Sequence, residues 1–186
     1  MPGERDGARG PGALAWLAFG FAVAFFCNAF LHRVAPAVMV SDLMRDFAVG
    51  GAVLGNLSAF YFYAYAALQI PVGLLLDRFG PRRLMTGAAL VCAAGSFVFA
   101  VADQLLVAYA GRLLIGAGCA ISFVGALAVA TTWFPARRFA MLTGTAQAGA
   151  MAGAVLGAAP LAALLQTTGW RTVMLGAAAL SASLAM

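Results

Sequence analysis

The chain has 186 residues, of which 64% are hydrophobic and only 9% are charged, with a formal net charge of +5. A soluble domain is about a quarter charged, so this composition excludes an ordinary water-soluble protein. The basic residues are all arginines and most fall in short segments between apolar runs, which is typical of a membrane protein and does not favour a nucleic-acid partner.

Six apolar runs follow one another along the chain. A helix rises ~1.5 Å per residue and the hydrocarbon layer is ~30 Å thick, so about 20 apolar residues predict a transmembrane helix. None of the runs shows the period-two alternation of a membrane β-barrel. The sequence therefore predicts an all-α, polytopic bundle whose partner is the lipid bilayer. The predicted spans 1 to 6 are Ala13–Met39, Ala52–Leu76, Leu84–Ala102, Leu105–Trp133, Met141–Leu165 and Trp170–Met186.

The arginines predict how the bundle lies in the membrane. Residues 1–12 form a short tail of mixed charge, and residues 13–186 form the bundle. Positive loops stay in the cytoplasm, so we expect a cytoplasmic N-terminus and an integral protein of the cell membrane. Span 6 reaches Met186 without a polar stop, so we expect a truncated span and a missing C-terminal six-helix half. A natural six-helix protein is the alternative. One side of the membrane would hold Arg5, Arg9, Arg78, Arg82, Arg83, Arg137 and Arg138, and the other Arg45 and Arg171.

An internal repeat connects the two halves of the chain. Shifted by 89 residues, Pro71–Ala89 lies over Pro160–Ala178, with matches that include Pro71/Pro160, Gly80/Gly169 and Arg82/Arg171. Spans 1–3 and 4–6 are then two copies of one three-helix unit. Because three is odd, the copies have opposite topology, which is typical of secondary transporters.

Two motifs place the chain in a family by resemblance. The stretch "GLLLDRFGPRR" (Gly73–Arg83) resembles the loop 2–3 signature of the major facilitator superfamily, with Pro81 as its one departure. The stretch "GRLLIGAGCA" (Gly111–Ala120) resembles the helix-4 arginine–glycine motif of the same family. The resemblance covers the whole chain as the N-terminal half of a twelve-helix transporter. The sequence shows no nucleotide-binding loop, metal-ligand cluster or Ser/His/Asp set, so we expect no enzymatic activity and no cofactor.

The resemblance also implies a role for the loop between spans 2 and 3. In the family this loop is a gating latch that holds the two halves together on the cytoplasmic side during alternating access. A carboxylate at the end of span 2 could face a helix N-terminus and the loop arginines. Topology signalling alone would explain the arginines but neither the acid nor the glycine before it. The predicted latch residues are Gly73, Asp77, Arg78, Gly80, Arg82 and Arg83.

Two arginines inside the apolar runs predict the substrate. Arg112 lies in span 4 and Arg33 near the end of span 1, at similar depth. Arg33 looks like the helix-1 arginine of the anion:cation symporter and organophosphate antiporter branches. Two guanidinium groups facing one cavity would favour a small organic anion. The alternative for Arg33 is that span 1 ends near Phe30 and the side chain extends to the membrane surface.

Other polar and small residues give weaker expectations. Ser58, Tyr61, Tyr65 and Gln69 form one stripe on span 2, which could contact substrate or bridge helices. Gly149, Gly153 and Gly157 form a GxxxGxxxG face that predicts close helix packing in span 5. The three cysteines predict no disulfide framework, and no metal-ligand cluster is apparent.

Coupling and direction stay open at this stage. The apolar runs hold no carboxylate, and His32 is the only histidine, so a proton, sodium or counter-substrate could drive transport. The alternatives to an organic-anion transporter are a multidrug or metabolite exporter of the same fold and a non-transporting membrane scaffold or sensor.

Overall fold

The computed structural model describes residues 12–185, which are helical almost throughout, with no β-strand among them. The predicted all-α bundle is confirmed; the first eleven residues of the predicted tail lie outside the described part. The helices are α1 (Ala13–Val38), α2 (Val40–Phe47), α3 (Gly51–Ala100), α4 (Leu105–Cys119), α5 (Ser122–Trp133), α6 (Phe139–Leu156), α7 (Ala159–Thr168) and α8 (Trp170–Ser183), with a 3-10 turn at Ala136–Arg138.

Four of the helical stretches are long and apolar enough to cross a membrane: Ala13–Val38, Gly51–Ala100, Leu105–Trp133 and Ala136–Thr168. The 50-residue α3 joins predicted spans 2 and 3, because only Gly80 inside it leaves helical geometry. We call its two arms α3a (residues 51–79) and α3b (residues 81–100). The last span corresponds to α8, whose 14 residues extend about 21 Å at 1.5 Å per residue.

The break at Gly80 reverses the chain. Gly80 has φ 75° and ψ 159°, a conformation that is open to glycine and strained for other residues. The two arms run antiparallel along α4, whose glycines pack on both of them. Gly116 lies against the Tyr61 backbone of α3a, and Gly118 lies against Ala88 of α3b. A side chain at either glycine would push these backbones apart.

The same reversal recurs 89 residues later. Gly169, between α7 and α8, has φ 77° and ψ 159°, which matches Gly80 closely. The helices that follow the two glycines also bury corresponding positions, namely Met85 with Met174, Ala88 with Ala177, and Cys92 with Ser181. The last pair meets inside the bundle, where Cys92 Sγ lies 3.6 Å from Ser181 Oγ. The internal repeat predicted from the sequence is therefore also a repeat of backbone conformation and burial.

Two predicted spans are broken in the middle. Span 4 divides into α4 and α5 at Ala120–Ile121. Two side chains donate hydrogen bonds to the backbone carbonyls at this break: Gln69 Nε2 to Ala120 O at 3.3 Å, and Ser122 Oγ to Cys119 O at 2.7 Å. Span 5 divides into α6 and α7 just before Pro160, whose ring nitrogen cannot donate to a carbonyl one turn back. Irregular backbone at membrane depth is tolerated where neighbouring groups satisfy it.

The described arginines that flank the helices lie at the two ends of the bundle. At one end the Arg138 guanidinium lies 6.0 Å from the Trp16 ring, and Arg82 lines a cavity of about 320 Å³ together with Leu14 and Trp133. At the other end Arg171 pairs with Asp103 at 3.5 Å.

That other end also holds α2, which the hydropathy pattern did not predict. Arg45 pairs with Asp42 at 3.0 Å, and the Trp170 indole Nε1 donates to Asp46 Oδ2 at 2.8 Å. The indole hydrogen bond, aided by Arg45, holds the pKa of the Asp46 carboxyl below its ordinary value, although desolvation opposes the shift. The cluster ties α2 to the start of α8.

Candidate functional site

Arg112 is buried at the centre of the bundle, with 1% of its surface exposed. Gly111, directly before it, packs against the Phe99 backbone and so holds α4 close to α3b. One guanidinium nitrogen, Nη1, donates to the backbone carbonyl of His32 in α1 at 3.1 Å. The other two, Nε and Nη2, are buried and have no hydrogen-bond partner among residues 12–185. Arg112 therefore holds a charge whose hydrogen-bonding capacity is largely unused.

Arg33 lies half-buried among aromatic rings. Its guanidinium carbon is 4.5 Å from the Phe30 ring, 5.1 Å from Tyr65 and 5.7 Å from Phe62. Its Nε is buried and has no partner among the described residues. Because α1 continues to Val38, the helix does not end near Phe30, as the alternative for Arg33 supposed.

Tyr61 stands between the two arginines. Its ring centroid lies 4.9 Å from the Arg112 guanidinium carbon and 5.9 Å from that of Arg33. Tyr61 is fully buried, its hydroxyl donates to the Ala29 carbonyl at 3.4 Å, and its ring stacks on Tyr65 at 6.0 Å. Four residues that the sequence analysis singled out (Arg33, Arg112, Tyr61 and Tyr65) are thus adjacent in space. We call these four residues the arginine–tyrosine site.

The other two members of the polar stripe lie at its margins. Ser58 lines a cavity of about 290 Å³ next to Arg33, between α1 and α3a. Gln69 bridges to the break between α4 and α5 through Ala120 O. Of the two roles that the sequence left open for the stripe, Gln69 has the helix-bridging one in this conformation.

No carboxylate among the described residues forms an ion pair with Arg33 or Arg112. The ion pairs among residues 12–185 join Arg45 to Asp42 and Asp46, and Arg171 to Asp103. Asp77 is exposed on α3a and pairs with no described arginine. The two central guanidinium groups thus lack an internal counter-charge within the described residues. No cluster of three or more potential metal-ligating side chains occurs there either.

The residues of the predicted latch lie on both sides of the reversal at Gly80. Gly80 makes the reversal, and a Cβ built on Gly73 would meet nothing within 4 Å. The expectation that Asp77 faces the loop arginines is not met by the described residues. The reason is that α3a stays helical through Phe79, which leaves Asp77 on an exposed face. Arg82 and Arg83 follow the reversal on α3b, where each lines a cavity.

The glycines of the GxxxGxxxG face all contact α1. A Cβ built on Gly149 would lie 2.5 Å from Val23 Cγ1, one on Gly153 would overlap the Cys27 carbonyl, and one on Gly157 would lie 3.2 Å from Leu31 Cα. The contacted residues are also spaced by four, so one face of α6 fits along one face of α1.

Sequence reasoning missed a buried polar cluster beside Arg112. Asn28, His32, Ser96 and Ser181 are each at most 2% exposed, and they come from α1, α3b and α8. The spacing of Asn28 and His32, four apart on an apolar helix, is the signal that could have found the α1 part. Cys92 and Cys119 border the cluster as free thiols, with their sulfurs 3.7 Å apart.

The fold and the site together define the class of the protein. An apolar bundle of long helices, broken at membrane depth and built around a buried arginine, is an integral membrane protein. Residues 18–186 match the family model of the Major Facilitator Superfamily, and the chain belongs to this family.

Curated relatives agree with this assignment. The chain is 27% identical over 172 residues, 92% of its length, to "Uncharacterized transporter YybO" of Bacillus subtilis. It is 25% identical over 154 residues (82% of the chain) to "Probable sulfoacetate transporter SauU" of Cupriavidus necator, and 26% identical over 114 residues (58%) to "Probable galactarate/D-glucarate transporter GudP" of Pseudomonas putida. The matched regions span 40%, 36% and 25% of these relatives. The family is one of transporters, and each of these relatives is named as one.

Proposed function

We propose that this chain is the N-terminal half of a secondary transporter that moves a small organic anion across the cell membrane by alternating access. The observation that carries the proposal is the pair of arginines beside Tyr61, which have buried, unpartnered N–H groups and no carboxylate partner among the described residues. Names of two relatives, a sulfoacetate and a galactarate/D-glucarate transporter, point to the same chemical class.

The energetics of the pair favour an anionic ligand. An arginine at the centre of a membrane helix costs ~2.5–3.5 kcal/mol on insertion scales, and a second one nearby adds repulsion. A carboxylate or sulfonate arriving between them removes both penalties. Each charge-assisted hydrogen bond that it makes contributes ~1.5–3 kcal/mol, and Arg112 offers two donors that are still free.

The geometry of guanidinium favours oxyanions in particular. Its planar fork matches the two oxygens of a carboxylate or sulfonate, whereas an ammonium group is a point charge. The aromatic faces around Arg33 already contact the carbon of its guanidinium group. These rings fix the plane of the Arg33 guanidinium group, so that its N–H groups at the edge stay available to a ligand.

The latch belongs to the same proposal. Asp77 lies near the end of α3a. Its side chain is exposed and forms no ion pair with a described arginine. We assign its partner to the C-terminal half, and we place this loop and the N-terminus in the cytoplasm, because the loop arginines are concentrated at that end of the bundle. In this proposal the latch closes in one state of the transport cycle and opens in the other.

The test measures counterflow in liposomes that contain the full-length protein. Vesicles are loaded with unlabelled sulfoacetate or glucarate, and entry of the labelled compound is measured in wild type, Arg33→Lys and Arg112→Lys. We expect saturable counterflow in wild type and at least a tenfold weaker apparent affinity in each lysine variant, since losing one forked hydrogen bond costs about 1.5 kcal/mol or more.

Other results would point to other functions. Counterflow of organic cations but not anions would favour a multidrug exporter. No saturable flux with any anionic, neutral or cationic probe would favour a scaffold or sensor. Full activity of both lysine variants would remove the arginines from the binding site.

A further inference from the structure

A cavity of about 290 Å³ lies beside Arg33, between α1, α2 and the first turns of α3a. Along α3a its lining runs from Gly51 to Ser58, a distance of about 10 Å at 1.5 Å per residue. Arg33 itself belongs to the lining, so the cavity adjoins the arginine–tyrosine site. An anion bound at that site could therefore place the rest of its structure in this space.

The wall of this cavity is apolar. Arg33 and Ser58 are the only described residues of the lining whose side chains are polar. Most backbone groups of the lining are engaged within the helices α1, α2 and α3a. A hydroxyl group on a ligand would find few partners here, whereas a hydrocarbon chain needs none. The buried part of the wall consists of Pro36, Leu43, Leu54 and Leu57.

Two glycines keep the cavity open on its α3a side. A Cβ built on Gly51 or on Gly55 would meet nothing within 4 Å among the described residues. Gly116 is different, because a Cβ there would overlap the Tyr61 backbone, so its small size serves helix packing. Glycine weakens a helix relative to alanine, and no contact among the described residues accounts for it at Gly55. What Gly55 preserves is the space of the cavity.

The volume sets the size of the group that fits. A water molecule takes up about 30 Å³ in the liquid, so a cavity of about 290 Å³ has room for roughly ten non-hydrogen atoms. Pockets for small molecules are lined mainly by apolar side chains, with a few polar groups that fix the orientation of the ligand. Arg33 and Ser58 are the groups that could fix it here.

We propose that this cavity holds the carbon chain of the transported anion, and that the substrate is an organic acid with a hydrocarbon chain rather than a polyhydroxylated acid. The inference rests on the proposed function and adds the class of carbon skeleton to it. The carboxylate or sulfonate binds at the arginine–tyrosine site, and the chain extends from Arg33 toward α2. Glucarate, whose inner carbons all carry hydroxyl groups, is then a weaker ligand than an unhydroxylated acid of similar length.

The structure of the ligand affects its affinity in two opposite ways. Each methylene that enters the cavity leaves water, which corresponds to a gain of roughly three- to fourfold in affinity. Each hydroxyl that enters loses its hydrogen bonds to water, and few groups of the wall replace them. Affinity should therefore rise with chain length until the cavity is full, and it should fall with hydroxylation.

The test uses alkanesulfonates as competitors in counterflow of labelled sulfoacetate or glucarate by the full-length protein. Sulfonates stay charged at neutral pH and do not cross the bilayer unaided, so passive entry does not disturb the measurement. The matched pair is propanesulfonate and 2,3-dihydroxypropanesulfonate, which share the head group and the number of carbons. We expect at least tenfold stronger competition by propanesulfonate, and competition that rises roughly three- to fourfold per methylene from ethanesulfonate to pentanesulfonate.

Two leucine variants locate the carbon chain. Gly55→Leu puts a side chain into the cavity, and its Cβ meets no described atom within 4 Å, so the rise of competition with chain length should disappear. Gly176→Leu is the control, because Gly176 in α8 has equally open surroundings and does not line the cavity. It should keep the wild-type ratio between pentanesulfonate and ethanesulfonate. The ratio is taken within each variant, so a general loss of activity does not alter the comparison.

The wild-type measurements are decisive even if Gly55→Leu does not fold. Equal or stronger competition by the dihydroxy compound, or competition that does not depend on chain length, would overturn the cavity as the position of the carbon chain. A full dependence on chain length in Gly55→Leu would do the same. In each of these cases the labelled anion is still carried, so anion transport stands. Absence of saturable counterflow of both labelled anions in wild type would instead overturn the proposed function and this inference with it.

Discussion

Replacing Gly153 with alanine should strongly destabilise the contact between α1 and α6. A Cβ built on Gly153 overlaps the backbone carbonyl of Cys27. Ordinary carbon–oxygen contacts are about 3.3–3.6 Å, so the two helices must separate by on the order of 1 Å. The obstacle is backbone rather than a flexible side chain, so the cost is at the upper end of the ~1–3 kcal/mol typical of overpacking.

The same helix supplies matched controls for this prediction. Gly144 also lies in α6, and a Cβ there meets nothing within 4 Å, so Gly144→Ala should be neutral or stabilising by about 0.5–1 kcal/mol. At Gly149 the obstacle is a methyl group of Val23, which can move, so Gly149→Ala should fall between the two. The expected order of stability is Gly144→Ala, then Gly149→Ala, then Gly153→Ala.

Unfolding in mixed micelles, followed by tryptophan fluorescence, measures the three free energies of unfolding. A gap of about 3 kcal/mol between the extreme variants corresponds to a change of about two orders of magnitude in the folding equilibrium. If Gly153→Ala unfolds at the same denaturant concentration as Gly144→Ala, the close packing of α1 on α6 is not present in the protein.

Three further predictions concern the ends of the bundle. Asp77→Asn should impair counterflow far more than it lowers the free energy of unfolding, because the carboxylate is exposed and unpaired with any described arginine; unchanged transport at matched expression would contradict the latch. Gly80→Ala and Gly169→Ala should each lower the free energy of unfolding by about 1–3 kcal/mol, because both glycines combine a positive φ with a ψ of 159°, a region open essentially to glycine alone; stability equal to wild type would show that the reversals relax freely. The Trp170 hydrogen bond lowers the pKa of the Asp46 carboxyl. The stabilisation that this carboxylate gives the folded protein is therefore present above the ordinary pKa of about 3.9, and it is lost as pH falls through the lower pKa of the folded state. The effect should stay under about 1 kcal/mol because the carboxylate is partly solvated, and a stability curve of Asp46→Asn that falls as much as wild type below about pH 4 would refute it.

Composition and spacing were sufficient to predict the helical architecture. Runs of about 20 apolar residues have few alternatives to a membrane span, and the repeat predicted that Gly169 resembles Gly80, which their φ and ψ angles confirm. Such local signals depend on neighbours along the chain and therefore appear in the sequence itself.

The features that the sequence did not predict depend on distant partners. The break after Cys119 is stabilised by Gln69, which is 51 residues from Ala120, and no pattern within span 4 reveals that contact. The cluster around His32 needs Ser181, which is 149 residues away. In each case a polar side chain acquires its role only when helices that are distant in the sequence have packed together.

Arg33 illustrates an intermediate case. From the sequence, the Arg33 side chain could either face a cavity or extend to the membrane surface. Which of the two was expected depended on where α1 ends. The helix continues to Val38 through Pro36, which cannot donate to the His32 carbonyl one turn back. Arg112 Nη1 donates to that carbonyl instead at 3.1 Å, and the continuation keeps Arg33 beside Tyr61 and Tyr65.

The most direct test of the central claim compares two ligands of the same shape and different charge. Counterflow of labelled glucarate is measured in liposomes while unlabelled glucarate or its uncharged diamide is added as competitor. If Arg33 and Arg112 bind an anion, glucarate should compete and the diamide should be at least tenfold weaker, because it cannot neutralise the two guanidinium groups. Equal competition by the diamide, with labelled glucarate still carried, would contradict an anion-binding arginine pair.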